Sequence, residues 1–242
     1  PIYEEFRTSY RAGSAKECES HQIRSHDPLS LTSLTFSRGT QKLKCKPRKP
    51  ISESEILRGM SRVKVDAEGA IATITLADPD TRNALSSDMM RELRDAFRAV
   101  GETESLVVVL AAEGRVFSAG HNLKEFIDIE LDDAQEIFSL VAELMTTIQS
   151  IPQIVIAKVQ GVAAAGGAQL AASCDLVVAA ETATFSLPGV KVGIFCHTPN
   201  VAMTRNIGMK RAMELAMTGD AISAKKAEDW GLINYAVPAE DL

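Results

Sequence analysis

From residue 62 onward the apolar and polar positions fall into two rhythms. Residues 62–66 and 70–76 are short β-rich runs around Ala67, Glu68 and Gly69, which predicts a hairpin. Residues 78–85 form a turn-rich loop. Met90, Leu93, Phe97 and Val100 then recur at helical spacing behind Ser86 and Ser87, either of which can cap a helix that Gly101 ends. The apolar run at 106–112 predicts a central buried strand, and residues 132–150 a long amphipathic helix burying Ile137, Phe138, Val141, Leu144 and Ile148. Strands are predicted at 154–159, 176–180 and 234–237, with a short extended segment at 184–188 and a loop at 189–199. A helix follows from about Pro199 to Ile207, then helices at 210–218 and 223–230, each closed by a glycine, Gly219 and Gly231. Strands alternating with helices predict an α/β fold whose parallel sheet is joined by crossover helices.

The stretch that organises this pattern is residues 160–169, Gln-Gly-Val-Ala-Ala-Ala-Gly-Gly-Ala-Gln. It places Gly166 and Gly167 at a strand-to-helix junction, with helix formers continuing through Ala172. Backbone N–H groups at such a junction are unpaired, and glycine lets a ligand approach them without meeting a Cβ. The alternative is that small residues here only allow close helix–strand packing. A second turn, Ser118-Ala119-Gly120, follows the strand at 106–112 within Arg115-Val-Phe-Ser-Ala-Gly-His-Asn-Leu-Lys-Glu125. Two such turns can each aim one N–H at the same point, which is an oxyanion hole.

Together these motifs resemble the enoyl-CoA hydratase/isomerase superfamily, the crotonases, over residues 63–242. The family has an Ala-Gly-x-Asp-Leu-like turn and a Gly-rich turn separated by a helix and a strand; Asn122 stands here where that Asp is usual. The resemblance implies a crotonase-like spiral of ββα turns. It also implies a C-terminal helical segment that covers the acyl site and supports a homotrimer or hexamer. The chain stops at Leu242, about where that segment begins, so the expectation is a fold truncated there. The implied partner is an acyl-CoA thioester, with coenzyme A as part of the substrate and no separate cofactor or metal. The oxyanion N–H groups fall at His121 and Gly166, and substrate contacts at Arg82, Ala84, Ala119, Gly120, Leu123 and Gln169. Arg82 reads equally as a solvated loop arginine.

Crotonase hydratases use two glutamates around a water. The first of those positions carries Gln169, the second Gly189. Gln takes no proton near neutral pH and Gly has no side chain, so two-glutamate hydration is not expected. His197 lies where isomerase and dehalogenase relatives place an acidic group, and a histidine can shuttle a proton near neutrality. Its alternative is a loop histidine with a structural partner. The imidazole of His121 and the thiol of Cys196 are weaker candidates. Two readings follow: an acyl-CoA enzyme with an unconventional proton carrier, or a non-catalytic acyl-CoA-binding protein.

Charge modifies the picture at the N-terminus. The chain of 242 residues carries a net −6, which argues against nucleic acid as a main partner. Residues 1–59 hold eleven Lys/Arg against seven Asp/Glu, a net of +4, so the remainder carries −10. Ser/Thr-rich and without apolar periodicity, that segment reads as a basic leader for mitochondrial import or as a solvated tail, and Met60 offers an alternative start. Three segments, 161–170, 172–175 and 188–196, also resemble a mitochondrial branch of the superfamily that lacks the glutamate pair. The expected location is mitochondrial, with cytoplasmic as the alternative. Four cysteines without CxxC spacing suit a reducing compartment, and no apolar run approaches membrane-spanning length.

Overall fold

The computed structural model describes residues 61–242. The expected leader at 1–59 and Met60 lie outside the described residues. Among the described residues ten strands and five helices follow one another as β1 (Val63–Glu68), β2 (Ile71–Leu76), α1 (Ser87–Gly101), β3 (Val107–Ala112), β4 (Val116–Ser118), α2 (Leu131–Ser150), β5 (Ile154–Val159), β6 (Val162–Ala164), α3 (Gly166–Ala172), β7 (Leu176–Ala180), β8 (Thr184–Ser186), α4 (His197–Thr218), β9 (Ile222–Ser223), α5 (Ala224–Trp230) and β10 (Tyr235–Val237). β1 and β2 pair as the antiparallel hairpin expected, with Gly69 supplying the left-handed turn residue.

Each successive turn contributes one strand to a large sheet and one to a small sheet. The large sheet runs β1-β2-β3-β5-β7-β10 and the small one β4-β6-β8-β9. Pairing is parallel apart from the β1–β2 and β8–β9 pairs, so the parallel neighbours are joined by crossovers rather than hairpins. The repeat is therefore the ββα spiral. Of the small sheet only β8 has a counterpart in the sequence pattern, the short extended segment expected at 184–188. Its strands are two or three residues long, too short for alternation to register.

One core cluster draws residues from both sheets and from all five helices α1–α5. Met89, Met90, Leu93, Ala96, Phe97 and Val100 of α1 are buried against Val63, Val65, Ile74 and Leu110 in one cluster. Ser86, not Ser87, is the cap: its hydroxyl accepts the Met89 N–H at 3.2 Å. Gly101 is the last helical residue and buried, with Glu102 capping beyond it. The Glu92 carboxylate accepts the backbone N–H groups of Ser61, Arg62 and Val63, which ties the start of β1 to α1. On α2, Val141, Leu144 and Ile148 are buried, whereas Ile137 and Phe138 are half-buried near the helix start. Among the described residues no helix is long and apolar enough to cross a membrane.

Two local corrections concern the site. The Gly166 junction joins α3 to β6, a strand absent from the periodicity reading, rather than directly to β5. α3 has only seven residues, so its aligned peptide dipoles are few and its exposed N–H groups matter more than its field. The loop expected to reach Pro199 ends earlier: residues Pro188–Val192 make a 3-10 turn and His197 opens α4. α4 is kinked at Gly208, and Gly219 and Gly231 close α4 and α5 in left-handed conformations, as predicted.

Ala165, between β6 and α3, has φ 48° and ψ −116°, a region that an L-residue enters only under strain. Its N–H donates to the Ser186 carbonyl of β8 at 2.9 Å, which helps hold it there. Ala165→Gly is expected to raise stability by about 1 kcal/mol, read as a shift in the urea midpoint. An unchanged or lower midpoint means the strain is not relieved by removing the Cβ.

Candidate functional site

The loop after β2 is the platform of the site. Arg82 and Asn83 both take left-handed backbone angles (φ 60° and 51°), which Asn tolerates well and Arg does not. Asn83 is fully buried. Its Oδ1 accepts the Asp78 N–H, and its Nδ2 donates to the Glu113 and Val116 carbonyls at 2.9 and 2.8 Å. The same loop is laced to the turn after β4. Ala119 N–H donates to the Arg82 carbonyl, and Ser118 Oγ donates to the Asn83 carbonyl and accepts the Gly120 N–H. Leu85 N–H in turn donates to the Gly120 carbonyl at 2.8 Å. Asn83 was not expected from the sequence, where its only signal is an Asn, a residue that tolerates left-handed angles, in a turn-rich loop.

That lacing presses the first turn against the second. A Cβ on Gly120 would meet the Ala164 carbonyl oxygen at 2.7 Å and the Gly166 nitrogen at 2.9 Å. A Cβ on Gly167 would fall inside the backbone of Ser118 and meet its Cβ at 2.7 Å. Backbone therefore meets backbone, and only glycine permits it. Gly120 and Gly166, 46 positions apart in the chain, adjoin in space. Among the described residues neither the His121 N–H nor the Gly166 N–H donates to another protein group.

The Gly-rich second turn and the ββα spiral match a known pattern. Residues 66–242 match the model of the family described as Enoyl-CoA hydratase/isomerase. The chain belongs to that family. Among curated relatives, the protein named enoyl-CoA hydratase domain-containing protein 3, mitochondrial, from Xenopus laevis is 41% identical over 207 residues, covering 85% of this chain and 70% of the relative. Its Mus musculus counterpart is 44% identical over 177 residues, covering 72% and 59%. The crystal structure of the human protein superposes with a TM-score of 0.73 at 38% identity, covering 75% of this chain and 72% of that one. The chain thus spans between 57% and 70% of the length of the curated relatives bearing that name. The fold is that of the crotonases.

Within this enoyl-CoA hydratase/isomerase domain, His121 is the most unusual group. Its ring lies over Gly166, where a Cβ would sit 3.1 Å from Nε2, and Leu85 Cδ1 closes the same space. Phe126 meets the ring edge-on at 6.3 Å between centroids, Phe126 meets Phe138 at 5.7 Å, and Phe138 meets His197 at 5.2 Å. Phe126 of the 3-10 turn Leu123–Phe126 and Phe138 of α2 thus form an aromatic wall between the two histidines. Neither ring nitrogen of His121 has a hydrogen-bond partner among the described residues. Burial holds its pKa below the ordinary imidazole value, and the nearby His197 pushes the same way. The Leu85 carbonyl, outside hydrogen-bonding geometry, and Glu125 offset part of that shift.

The remaining expected residues spread around this centre. Ala119 and the Arg82 side chain are exposed, Ala84 is half-buried, and Leu123 is 53% exposed in the 3-10 turn Leu123–Phe126. Asn122 caps that 3-10 turn through Oδ1, while its Nδ2 donates to Glu125 at 3.2 Å. An Asp there would face the Glu125 carboxylate instead. Gln169 is buried on α3 with Oε1 unpaired among the described residues. His197 is exposed at the first position of α4 rather than in the loop. Gly189 packs so tightly that a Cβ would meet the Ile194 carbonyl oxygen at 2.5 Å and Cys196 Sγ at 2.7 Å. The Cys196 thiol is buried, which pushes its pKa up and leaves it a poor nucleophile. Among the described residues no group of three His, Cys, Asp or Glu could hold a metal ion.

The depressed His121 pKa carries a stability consequence. Between its folded and its ordinary value the unfolded chain binds the extra proton. The stability present above about pH 6.5 is therefore lost as pH falls through the folded value. The urea midpoint is expected to drop more between about pH 7.5 and about pH 5.5 in wild type than in His121→Phe. Parallel profiles would mean that His121 is protonated in the folded chain without cost.

Proposed function

We propose that the chain binds an acyl-CoA thioester with its carbonyl oxygen between the backbone N–H groups of His121 and Gly166. The observation that supports this reading is the glycine-enforced contact between the Gly120 and Gly166 turns, where the Gly166 nitrogen adjoins the residue before His121 and neither N–H donates to another protein group among the described residues. Each such donor can stabilise a developing enolate by about 2.7–4 kcal/mol. Arg82, an exposed cation on the adjoining loop, suits the phosphates of coenzyme A. Phe126 and Phe138 suit one wall of the acyl pocket. Relatives named mitochondrial support a location in that organelle, where this reading assigns the chain a role in fatty-acyl metabolism.

The chemistry is of the hydratase/isomerase type but not two-glutamate hydration. Gln169 offers an amide where a base is needed. At Gly189 the Ile194 carbonyl and Cys196 sulfur already occupy the space a side chain would take. His197, across Phe138 from His121, is the proton carrier in this reading. A second reading, a non-catalytic acyl-CoA-binding protein, is favoured by the same Gln169 and Gly189 positions. Turnover in a screen of enoyl-, dienoyl- and malonyl-type thioesters that vanishes in His197→Ala supports the enzyme. Tight binding without turnover supports the binder.

Calorimetry with an acyl-CoA is expected to show binding that Gly166→Val weakens at least about tenfold, because the added methyls enter the space between the turn, His121 and Leu85. Equal affinity in the two proteins would remove the two-turn site. The pair Gln169→Glu with Gly189→Glu is expected to gain no hydration of a 2-enoyl-CoA and to lose about 1–3 kcal/mol of stability through overpacking at position 189. Measurable hydratase activity in that double variant would show that the loop can reopen.

A further inference from the structure

We infer that the His121 imidazole, and not only its backbone N–H, donates a hydrogen bond from Nε2 to the thioester carbonyl. This rests on the acyl-CoA reading above and deepens it. A backbone oxyanion donor can carry any side chain, so nothing in that reading calls for an imidazole.

Four observations support a working ring. Both ring nitrogens are buried and unpartnered among the described residues, and such groups ordinarily find partners in folded proteins. The ring does not face a distant cavity: it lies over Gly166, with Nε2 3.1 Å from where a Cβ on that glycine would sit. A carbonyl oxygen accepting the Gly166 N–H is then a neighbour of Nε2. The ring is also held in place, by Phe126 edge-on, by Leu85, and by the bridge pairing Leu85 with His121 in parallel. Finally, burial keeps the imidazole neutral, so as the Nε2–H tautomer it is a donor that brings no buried charge. Glu125 and His197 are the charged or titratable groups that act on it. A neutral donor aimed at a thioester oxygen strengthens as that oxygen gains charge, which is the condition for lowering a barrier rather than only tightening binding.

The test uses a conjugated aryl-acryloyl thioester of coenzyme A, whose absorption moves to longer wavelength as its carbonyl is polarised. Wild type, His121→Phe and His121→Gln are compared. Phe keeps the ring shape without an N–H, and Gln restores a donor of similar reach. The expected result is a red shift in wild type that falls by about half in the Phe variant, with affinity about fivefold weaker. The Gln variant recovers most of the shift. A Phe variant that binds with the wild-type shift overturns the inference and leaves the acyl-CoA reading standing. Wild type that does not bind the thioester overturns both. Should the Phe variant not fold, histidine-ring 15N spectra of wild type with and without the thioester decide the matter. A displaced Nε2–H resonance on binding supports the inference, and an unmoved one overturns it.

Discussion

Gly120 and Gly166 lie so close that no side chain can stand between them, and much of the domain exists to bring about that contact. The approach of a Gly120 Cβ to the Gly166 nitrogen would be 2.9 Å, and Gly167 is pressed against Ser118 in the same way. Two backbone segments reach such proximity only when the elements carrying them are in register. Here β4 and β6 pair in parallel, and Ala165 is drawn to β8 through its N–H. Asn83 completes the arrangement from the other side. It satisfies three backbone groups of its surroundings, and its carbonyl receives the Ser118 hydroxyl. A loop amide thereby sets the height of a turn more than thirty positions later.

The acyl-CoA reading proposed above is rich in donors and poor in bases. In it the N–H groups of the two turns and the His121 imidazole face an oxygen that gains negative charge. The two positions that the resemblance aligns with hydratase carboxylates carry Gln169 and Gly189. The Gly189 position is not merely lacking a side chain, because Ile194 and Cys196 fill the volume. Asn122 follows the same logic: its amide serves both the 3-10 turn and Glu125, where a second carboxylate would repel the first. Glu125 itself is engaged by Ser87 and Asn122, which suits a structural anchor at the start of α1.

Long elements were legible in the amino-acid order because they bury one face repeatedly. The α1 positions Met90, Leu93, Phe97 and Val100 are all buried at the predicted spacing, and the strands at 154–159 and 176–180 fall on the expected residues. Glycine punctuation was equally reliable at Gly69, Gly219 and Gly231, where a left-handed φ is a local need. The two site motifs were readable for the same reason, since small residues at a turn are a local signal.

Several features had no local signal. The small sheet is built from strands of two or three residues, whose identity comes from their partners and not from their own alternation. The start of α4 at His197, the aromatic wall of Phe126 and Phe138 between two histidines, and the occupied space at Gly189 all depend on segments far apart in the chain. The reach of local chemistry ends at the turn itself: glycine and the flanking strand tell that backbone will be exposed there. Which other backbone it meets, and whether a histidine ring is left buried and unpaired beside it, follows from long-range packing that no short window of residues contains.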